Sequence, residues 1–244
     1  MERVVLITGA SSGIGRSTAL EFAKLKDKLV LHYNRSEEEI KNLKKEIEND
    51  YGISPIVVKA DLSRKEEVEK LLDKLQEKNI EIDILINNAG IALDSLFEDK
   101  TWENFEETLR VNLIAPFFIA RYCGEKMFER KKGVIINVSS TNGINSYYPM
   151  SVDYDASKAG IISLTHNLAL QYKPYVRVNS VAPGWINTRM NKELDQEFIE
   201  EENKKIFIER FAQPEEIAKV IVFLASNDAS YINNEIIKID GGSY

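Results

Sequence analysis

Short apolar runs rich in Val and Ile alternate with longer amphipathic stretches along the whole chain of 244 residues. Several runs, such as Ile84 to Ile86, are apolar on both faces, which is typical of strands covered by helices above and below. Capping boxes formed by Ser36 with Glu39 and by Ser63 with Glu66 predict where two of the helices begin. The alternation predicts an α/β fold, with helices on both faces of one doubly wound parallel sheet. The seven predicted strands are Val4 to Thr8, Leu29 to Tyr33, Pro55 to Lys59, Ile82 to Asn87, Gly133 to Ser139, Val176 to Val181 and Glu235 to Asp240.

Charge and cysteine content exclude several classes of protein. Lys and Arg number 32 against 39 Asp and Glu, a net charge of −7 that has the wrong sign for a nucleic-acid surface. Cys123 is the only cysteine, so no internal disulfide forms, which fits a reducing compartment. The longest apolar run, Leu113 to Ala120, is far shorter than the roughly 18 residues of a membrane span, and the N-terminus leaves no room for a signal peptide. We therefore expect a cytoplasmic protein with neither a nucleic acid nor a membrane as partner.

A glycine-rich turn follows the first strand and precedes an amphipathic stretch. Glycine lets the backbone approach a pyrophosphate closely, and the free N–H groups and positive end of the following helix favour that anion. The alternative is an ordinary glycine-rich connection between a strand and a helix. The candidate phosphate-binding residues are Gly9, Ser11, Ser12, Gly13, Ile14 and Gly15.

Tyr154 and Lys158 are four residues apart, so on a helix their side chains share one face. The spacing alone is uninformative, because Tyr122 and Lys126 have it too. Context separates the pairs: Tyr154 opens the helix after a loop that carries Ser140 at the carboxyl end of a strand, where open α/β sheets bind ligands. A neighbouring cation favours the phenolate and lowers the pKa of a tyrosine. Tyr154 and Lys158 are therefore a candidate acid–base pair.

The turn has the spacing GxxxGxG after a threonine, rather than GxGxxG, and in this it resembles the short-chain dehydrogenase/reductase family. The likeness covers essentially the whole chain. It implies a single Rossmann-like domain over residues 1–244 and an enzyme that transfers a hydride between NAD(P) and a carbonyl or secondary alcohol. The matching residues beyond the turn are Asn88, Ala89, Gly90, Asn112, Ser140, Tyr154, Lys158, Pro183, Gly184 and Thr188.

The resemblance gives each polar residue of the candidate site a role. Tyr154 would protonate the carbonyl oxygen, Lys158 would lower the pKa of Tyr154 and hold the nicotinamide ribose, and Ser140 would position the carbonyl. Asn112 would help to hold a water that passes protons from Lys158 to solvent. The structural alternatives are a polar helix residue for Asn112, a helix cap for Ser140 and a packing residue for Tyr154.

The end of the second strand discriminates NAD from NADP. An acidic residue there would repel a 2′-phosphate, but Tyr33 stands at that position. Arg35 can pair with the phosphate and Asn34 and Ser36 can donate hydrogen bonds, so the sequence favours NADP(H). The alternative for Arg35 is a solvated residue at a helix start, and Ser12 occupies a position that is basic in many NADP-binding relatives. The resemblance places Asp61 and Leu62 near the adenine and Asn88, Ala89 and Gly90 beside the adenosine ribose. It adds cofactor contacts at Pro183, Gly184, Ile186 and Thr188.

The likeness is greatest to 3-oxoacyl-[acyl carrier protein] reductases, and a sugar or small-alcohol dehydrogenase of the same family is the alternative. An acyl carrier protein is acidic, and Arg130 to Lys132 offers a basic patch for it. Residues 186–211 are expected to form a substrate lid, in which Asn191 to Glu202 carries six acidic residues that would repel such a partner. The alternative from another class is a non-catalytic NAD(P)-sensing protein, which would be expected to have lost part of the catalytic set.

Metal binding is not predicted, because His32 and His166 have no second ligand at a useful spacing. Two helix faces have more apolar surface than one sheet face covers: Leu113, Phe117 and Phe118 form the first, and Ile161, Leu164 and Leu168 form the second. In the family the corresponding helices pair between subunits. We therefore expect a homotetramer or a homodimer.

Overall fold

The computed structural model describes residues 3–188 and 194–242, and within them strands and helices alternate as the sequence predicts. The strands are β1 (Val4–Ile7), β2 (Lys28–Tyr33), β3 (Ile56–Lys59), β4 (Ile84–Asn87), β5 (Gly133–Val138), β6 (Val176–Pro183) and β7 (Ile236–Ile239). The helices are α1 (Gly13–Lys24), α2 (Glu37–Tyr51), α3 (Lys65–Glu77), α4 (Trp102–Leu109), α5 (Ala115–Glu129), α6 (Val152–Tyr172), α7 (Gln196–Lys205) and α8 (Pro214–Leu224).

The strands form one sheet in the order β3-β2-β1-β4-β5-β6-β7, and every neighbouring pair is parallel. The expected doubly wound α/β fold is thereby confirmed. The chain runs outward from β1 to β3 and then returns to place β4 on the other side of β1. Open sheets bind ligands where the strand order reverses in this way, so the carboxyl ends of β1 and β4 mark the expected crevice.

Two apolar cores lie on the two faces of the sheet, because successive side chains of a strand point to opposite sides. Val5 and Ile7 belong to the core that includes α1, α2 and α8, whereas Leu6 lies in the core with α3, α5 and α6. Ile161 and Leu168 of the second predicted face are buried within this chain, at 2% and 4% exposure, and Leu164 is half-buried, so little of that face is left for another subunit. Phe117 and Phe118 are exposed as expected.

Helix starts differ in detail from the predicted capping boxes. The Ser63 hydroxyl donates to the Asp61 carboxylate at 2.7 Å, and α3 begins two residues later with Arg64 as its N-cap. Ser36 occupies the N-cap position of α2, but its side chain makes no capping bond. The start of α2 directly after Ser36 is confirmed, but neither serine makes the predicted capping bond, because nearby partners and local backbone geometry decide where a short polar side chain bonds.

Within residues 3–188 and 194–242, no helix has both the length and the apolar character needed to cross a bilayer. No group of three or more His, Cys, Asp or Glu side chains in these ranges is arranged to hold a metal ion.

Candidate active site

The glycine-rich turn joins β1 to α1 in a conformation that only glycine adopts easily. Gly9 and Gly13 have φ angles of +66° and +52°, in the left-handed region. A Cβ at Gly15 would lie 2.3 Å from the carbonyl oxygen of Gly9 and 2.5 Å from the side-chain nitrogen of Asn88. The third glycine is therefore required by close packing of the turn on itself.

The N-terminal end of α1 is prepared for an anion. The first N–H groups of a helix have no partner within the helix, and the Ser12 side chain, at the N-cap, makes no capping bond. The first turn of α1 carries no acidic residue that would repel a phosphate. Ser11 and Ile14 flank these groups within the turn. The turn therefore fits the pyrophosphate of a dinucleotide, whose charge the amides and the helix dipole would stabilise.

His32 is a buried residue of β2, and its ring contacts this turn. Its Nδ1 accepts a hydrogen bond from the Gly9 amide at 3.1 Å, and its Nε2 lies 3.0 Å from the carbonyl oxygen of Ala60. Burial lowers the pKa of His32 to about 4, so the ring is neutral. Sequence patterns predicted no function for His32, although its place near the carboxyl end of the strand beside the turn could have indicated this role.

Asn88 and Ala89 fasten the end of β4 to the same turn. Their amides donate to the Thr8 hydroxyl at 2.9 Å and 3.0 Å. The Asn88 side chain donates to the carbonyl oxygens of Thr8 and Gly9 at 2.9 Å and 3.1 Å. These residues thus lie at the crevice between β1 and β4, where the resemblance placed the adenosine ribose.

The residues expected to bind adenosine lie at the ends of β2 and β3. Arg35 is exposed, Asn34 and Ser36 are half-buried, and Leu62 is buried. Burial would raise the pKa of the Asp61 carboxyl, but the hydrogen bonds from Ser63 and the charges of Arg35 and Arg64 outweigh it and hold that pKa below its usual value. Arg35 and Arg64 therefore make this corner of the crevice cationic.

The loop 183–188 closes the other side of the crevice. The Gly184 amide donates to Ile239 at 3.0 Å, and Ile186 pairs with Ala212. A Cβ at Gly13 would lie 3.3 Å from the Thr188 methyl group. The segment that starts at Pro183 therefore reaches the glycine-rich turn, as a cofactor-binding loop must.

Ser140 and Tyr154 meet at the carboxyl edge of the sheet. Ser140 follows β5, and its hydroxyl accepts from the Asn142 amide at 3.2 Å. Burial raises the pKa of Tyr154 to about 12, although the hydrogen bond with Ser140 acts to lower it. Ser139 donates to the carbonyl oxygen of Lys158 at 2.8 Å and so fixes α6 against the end of β5.

Lys158 lies on the same face of α6 as Tyr154. Its Nζ is 5.4 Å from the centroid of the Tyr154 ring and donates to the carbonyl oxygen of Val138 at 2.8 Å. The side chain is almost fully buried, and burial lowers the pKa of Lys158 to about 8. Burial is the largest cause of both pKa shifts, and Lys158 is not among the causes that shift the pKa of Tyr154, so its role in lowering that pKa stays a prediction.

Asn112 stands in a π-helical turn, Arg110–Ile114, between α4 and α5. Its side chain exchanges two hydrogen bonds of 2.8 Å with the main chain of Ile91 and donates to the Ser157 hydroxyl at 3.1 Å. A Cβ at Gly90 would lie 3.4 Å from Asn112 Oδ1 and 3.5 Å from Lys158 Nζ. The structure therefore brings Asn112 and Lys158 to the same glycine, and such π turns are frequent at functional sites.

The proposed lid is partly outside the described residues, since Asn191, Lys192 and Glu193 belong to the segment left undescribed. In α7, Glu202 is buried and accepts hydrogen bonds from Trp185 at 2.9 Å, Tyr148 at 3.3 Å and Lys205 at 2.6 Å. Glu202 is one of the six acidic residues expected to repel an acidic partner. That expectation was wrong for Glu202, because its carboxylate is buried and hydrogen-bonded within the protein.

Two other surfaces lie away from Tyr154. Arg130 to Lys132 precede β5 and so lie at the amino edge of the sheet, the edge opposite Ser140. Arg130 donates to the carbonyl oxygen of Ile82 at 2.6 Å, so it is not free to bind a partner in the way the sequence suggested.

A cavity of about 490 Å³ beside α6 is lined by Val152, Ala156 and Ala159, which lie on the helix face opposite Tyr154.

Comparison with known proteins agrees with this geometry. The family model described as enoyl-(acyl carrier protein) reductase matches residues 9–244. The 3-oxoacyl-[acyl-carrier-protein] reductase FabG of Thermotoga maritima is 38% identical over 242 residues, covering 98% of this chain and 97% of the relative. The crystal structure of 3-oxoacyl-[acyl-carrier protein] reductase from Brucella melitensis superposes with a TM-score of 0.90 at 30% identity, covering 100% of this chain and 91% of that one.

A further solved structure, from Beutenbergia cavernae, is assigned as an NAD(P)-dependent gluconate 5-dehydrogenase and contains NADP at low occupancy. Its TM-score is 0.92 at 32% identity, covering 98% of this chain and 96% of that one. Fold, glycine-rich turn and sequence likeness all agree over nearly the full length. The chain belongs to the short-chain dehydrogenase/reductase family and is an NAD(P)-dependent oxidoreductase.

Proposed function

We propose that this oxidoreductase reduces the 3-oxo group of an acyl thioester carried on acyl carrier protein, with NADPH as the reductant. The observation that carries the proposal is the contact of Ser140 with Tyr154 at the carboxyl edge of the sheet, with Lys158 beside the tyrosine ring. The substrate class is supported by the Thermotoga maritima relative, which is a 3-oxoacyl-[acyl-carrier-protein] reductase.

The reaction divides between the cofactor and the side chains. A bound nicotinamide supplies the hydride that adds to the carbonyl carbon. Ser140 donates to the carbonyl oxygen and holds it within reach of Tyr154. Tyr154 gives its hydroxyl proton to that oxygen as negative charge develops there, which yields the alcohol. Lys158, with a pKa near 8, then returns a proton to the phenolate, and Asn112 lies on the route to solvent.

The chain's own residues also hold the cofactor in this proposal. The amides between Ser11 and Gly15 bind the pyrophosphate, and Lys158 holds the nicotinamide ribose. The exposed Arg35 binds the adenosine 2′-phosphate, where Tyr33 offers no carboxylate to repel it. The NADP in the Beutenbergia cavernae structure supports this preference.

A sugar dehydrogenase is the second candidate, favoured by the likeness to the Beutenbergia cavernae protein assigned as a gluconate 5-dehydrogenase. Loss of NADPH absorbance distinguishes the two when acetoacetyl-acyl carrier protein and the keto form of gluconate are compared at equal concentration. We expect faster turnover of the thioester, and preference for the keto sugar would contradict the proposed substrate. NADPH binding without turnover of any carbonyl would instead indicate a sensor.

Replacement of the tyrosine tests the chemistry. Tyr154→Phe removes the proton donor, so kcat is expected to fall by about 10²–10⁴ while NADPH still binds. Tyr122→Phe is the matched control, because Tyr122 also has a lysine four residues later in the chain. The Nζ of that residue, Lys126, lies 4.9 Å from the centroid of the Tyr122 ring. Near-normal turnover in Tyr154→Phe would remove this mechanism.

We also propose a homotetramer or homodimer, because the aromatic rings of Phe117 and Phe118 on α5 are exposed to solvent. Light scattering at micromolar concentration tests the assembly, and a monomer would contradict it. The single buried Cys123 supports a cytoplasmic location.

A further inference from the structure

A buried ion pair lies directly beneath the first turn of α6. Lys100 Nζ is 2.9 Å from Asp153 Oδ1, and the two side chains are only 6% and 0% exposed. The other oxygen of Asp153 accepts a hydrogen bond from the Thr108 hydroxyl at 2.7 Å. Lys100 Nζ also donates to the carbonyl oxygen of Leu93 at 2.5 Å. Three segments, the loop after β4, helix α4 and helix α6, therefore converge on one carboxylate.

Asp153 is the residue immediately before Tyr154. Its carboxylate is fixed by contacts on α4 and on the β4–α4 loop, so the main chain that carries the tyrosine is held in place relative to both. The same loop makes two more contacts with the start of α6: Ser151 donates to Asp94 at 2.7 Å, and the Ser95 amide donates to Met150 at 3.3 Å.

Burial of these charges is poorly explained by stability alone. A buried ion pair is commonly no more stabilising than apolar side chains of similar volume, because both charges lose their hydration. Burial by itself would raise the pKa of Asp153, but the hydrogen bond from Thr108 and the neighbouring ammonium of Lys100 outweigh it and keep that pKa below its usual value. Unlike apolar packing, an ion pair fixes the distance and direction between its two charged groups.

We propose that Asp153, through its ion pair with Lys100, is a positioning residue that sets the place of the Tyr154 hydroxyl relative to Ser140. This inference rests on the proposed function, in which Tyr154 is the proton donor. Because misplacement of a reacting group by about 1 Å can cost about 100-fold in rate, loss of the pair acts on kcat.

The test compares Asp153→Asn, the double variant Lys100→Met/Asp153→Asn, and Thr108→Val, which removes one hydrogen bond and keeps the ion pair. We expect kcat per folded molecule to fall by about 10- to 100-fold in the first two and by less in Thr108→Val. The dissociation constant for NADPH is expected to stay unchanged. Asp99→Asn, an exposed carboxylate in the same loop, is the matched control and keeps its activity.

The split between kcat and NADPH binding separates positioning from folding. Tyr154 is faced by Ser140, by Asp155 and Asp94, and by Lys158 over its ring. A hydroxyl displaced from Ser140 lowers kcat per folded molecule and leaves the KM and the dissociation constant for NADPH unchanged, whereas a folding defect alone lowers only the fraction of active molecules.

A fall in kcat per folded molecule with unchanged NADPH binding supports the inference. A lower unfolding temperature with wild-type kcat per folded molecule overturns it, and so does a fall in kcat accompanied by an equal loss of NADPH affinity. Tyr154→Phe, measured beside these variants, keeps the two proposals apart: if it is inactive and Asp153→Asn behaves as Asp99→Asn does, only the positioning inference fails.

Discussion

Lys158 and Tyr154 lie one turn apart on α6, with the Nζ of Lys158 5.4 Å from the centroid of the Tyr154 ring. The ammonium donates its hydrogen bond to the carbonyl oxygen of Val138 and not to the phenol. Burial raises the pKa of Tyr154 to about 12 and lowers that of Lys158 to about 8. The lysine is thus the group of this pair that changes protonation near neutral pH.

Because burial disfavours the ammonium of Lys158, replacing this lysine is expected to stabilise the protein while it removes the activity. Its pKa is 10.5 in an ordinary environment and about 8 here, so the ammonium is disfavoured in the folded protein and costs stability below pH 8. Lys158→Met is expected to abolish turnover and to raise the free energy of unfolding at pH 7 by about 2 kcal/mol, after allowance for the lost hydrogen bond to Val138.

The advantage of Lys158→Met is expected to shrink as the pH rises from about 8 to 10.5, because the unfolded chain binds more protons than the folded one in that window and wild-type stability therefore increases. Urea unfolding at pH 7 and pH 10 measures it, with Lys126→Met as the control. A variant less stable than wild type at pH 7 would contradict this prediction.

Because the buried ring of His32 resists protonation, the folded protein is expected to lose stability as the pH falls. Its folded pKa is about 4 and its ordinary pKa is 6.5, so between these values the unfolded chain takes up a proton that the folded protein refuses. The stabilisation is complete above pH 6.5 and is lost as the pH falls through 4, with an amplitude of about 3 kcal/mol. His32→Asn should flatten this slope in urea unfolding between pH 4 and 7, whereas the surface variant His166→Asn should keep it.

Arg35 is expected to determine the preference for NADPH over NADH. Loss of its guanidinium in Arg35→Ala is expected to lower kcat/KM for NADPH about 10-fold, the size of one charged hydrogen bond, and to leave kcat/KM for NADH unchanged. Steady-state rates with both cofactors measure the ratio. Arg110→Ala, which breaks an exposed pair with Glu106, is the control. Equal loss with NADPH and NADH would show that Arg35 does not read the 2′-phosphate.

The glycine-rich turn is expected to tolerate no side chain at Gly15. In Gly15→Ala the new Cβ would clash with the Gly9 carbonyl and the Asn88 side chain, so NADPH binding is expected to be lost together with about 1–3 kcal/mol of stability. Gly52→Ala is the matched control, because no atom lies within 4 Å of a Cβ at Gly52 and only its φ of +68° is strained. Fluorescence titration with NADPH compares the two variants, and normal binding by Gly15→Ala would contradict the packing argument.

Local patterns in the sequence were enough for the sheet and for much of the candidate site. The period of apolar residues predicted each strand to within about two residues at its ends, because side-chain direction repeats along a strand. The rule that open α/β sheets bind ligands at the carboxyl ends of their strands predicted that Ser140 and Tyr154 belong to one site. Capping failed at Ser63 because its partner was Asp61, a choice that propensity does not contain.

The sequence by itself determined the order of the elements, the glycine-rich turn and the residues that could exchange protons. Only the tertiary structure decided how these groups behave: the neutral ring of His32 against Gly9, the buried carboxylate of Glu202, and the pairing of Lys100 with Asp153 across 53 positions of the chain. The physical reason is that burial and long-range pairing set the charge and direction of a polar side chain, and neither is encoded in its sequence neighbours.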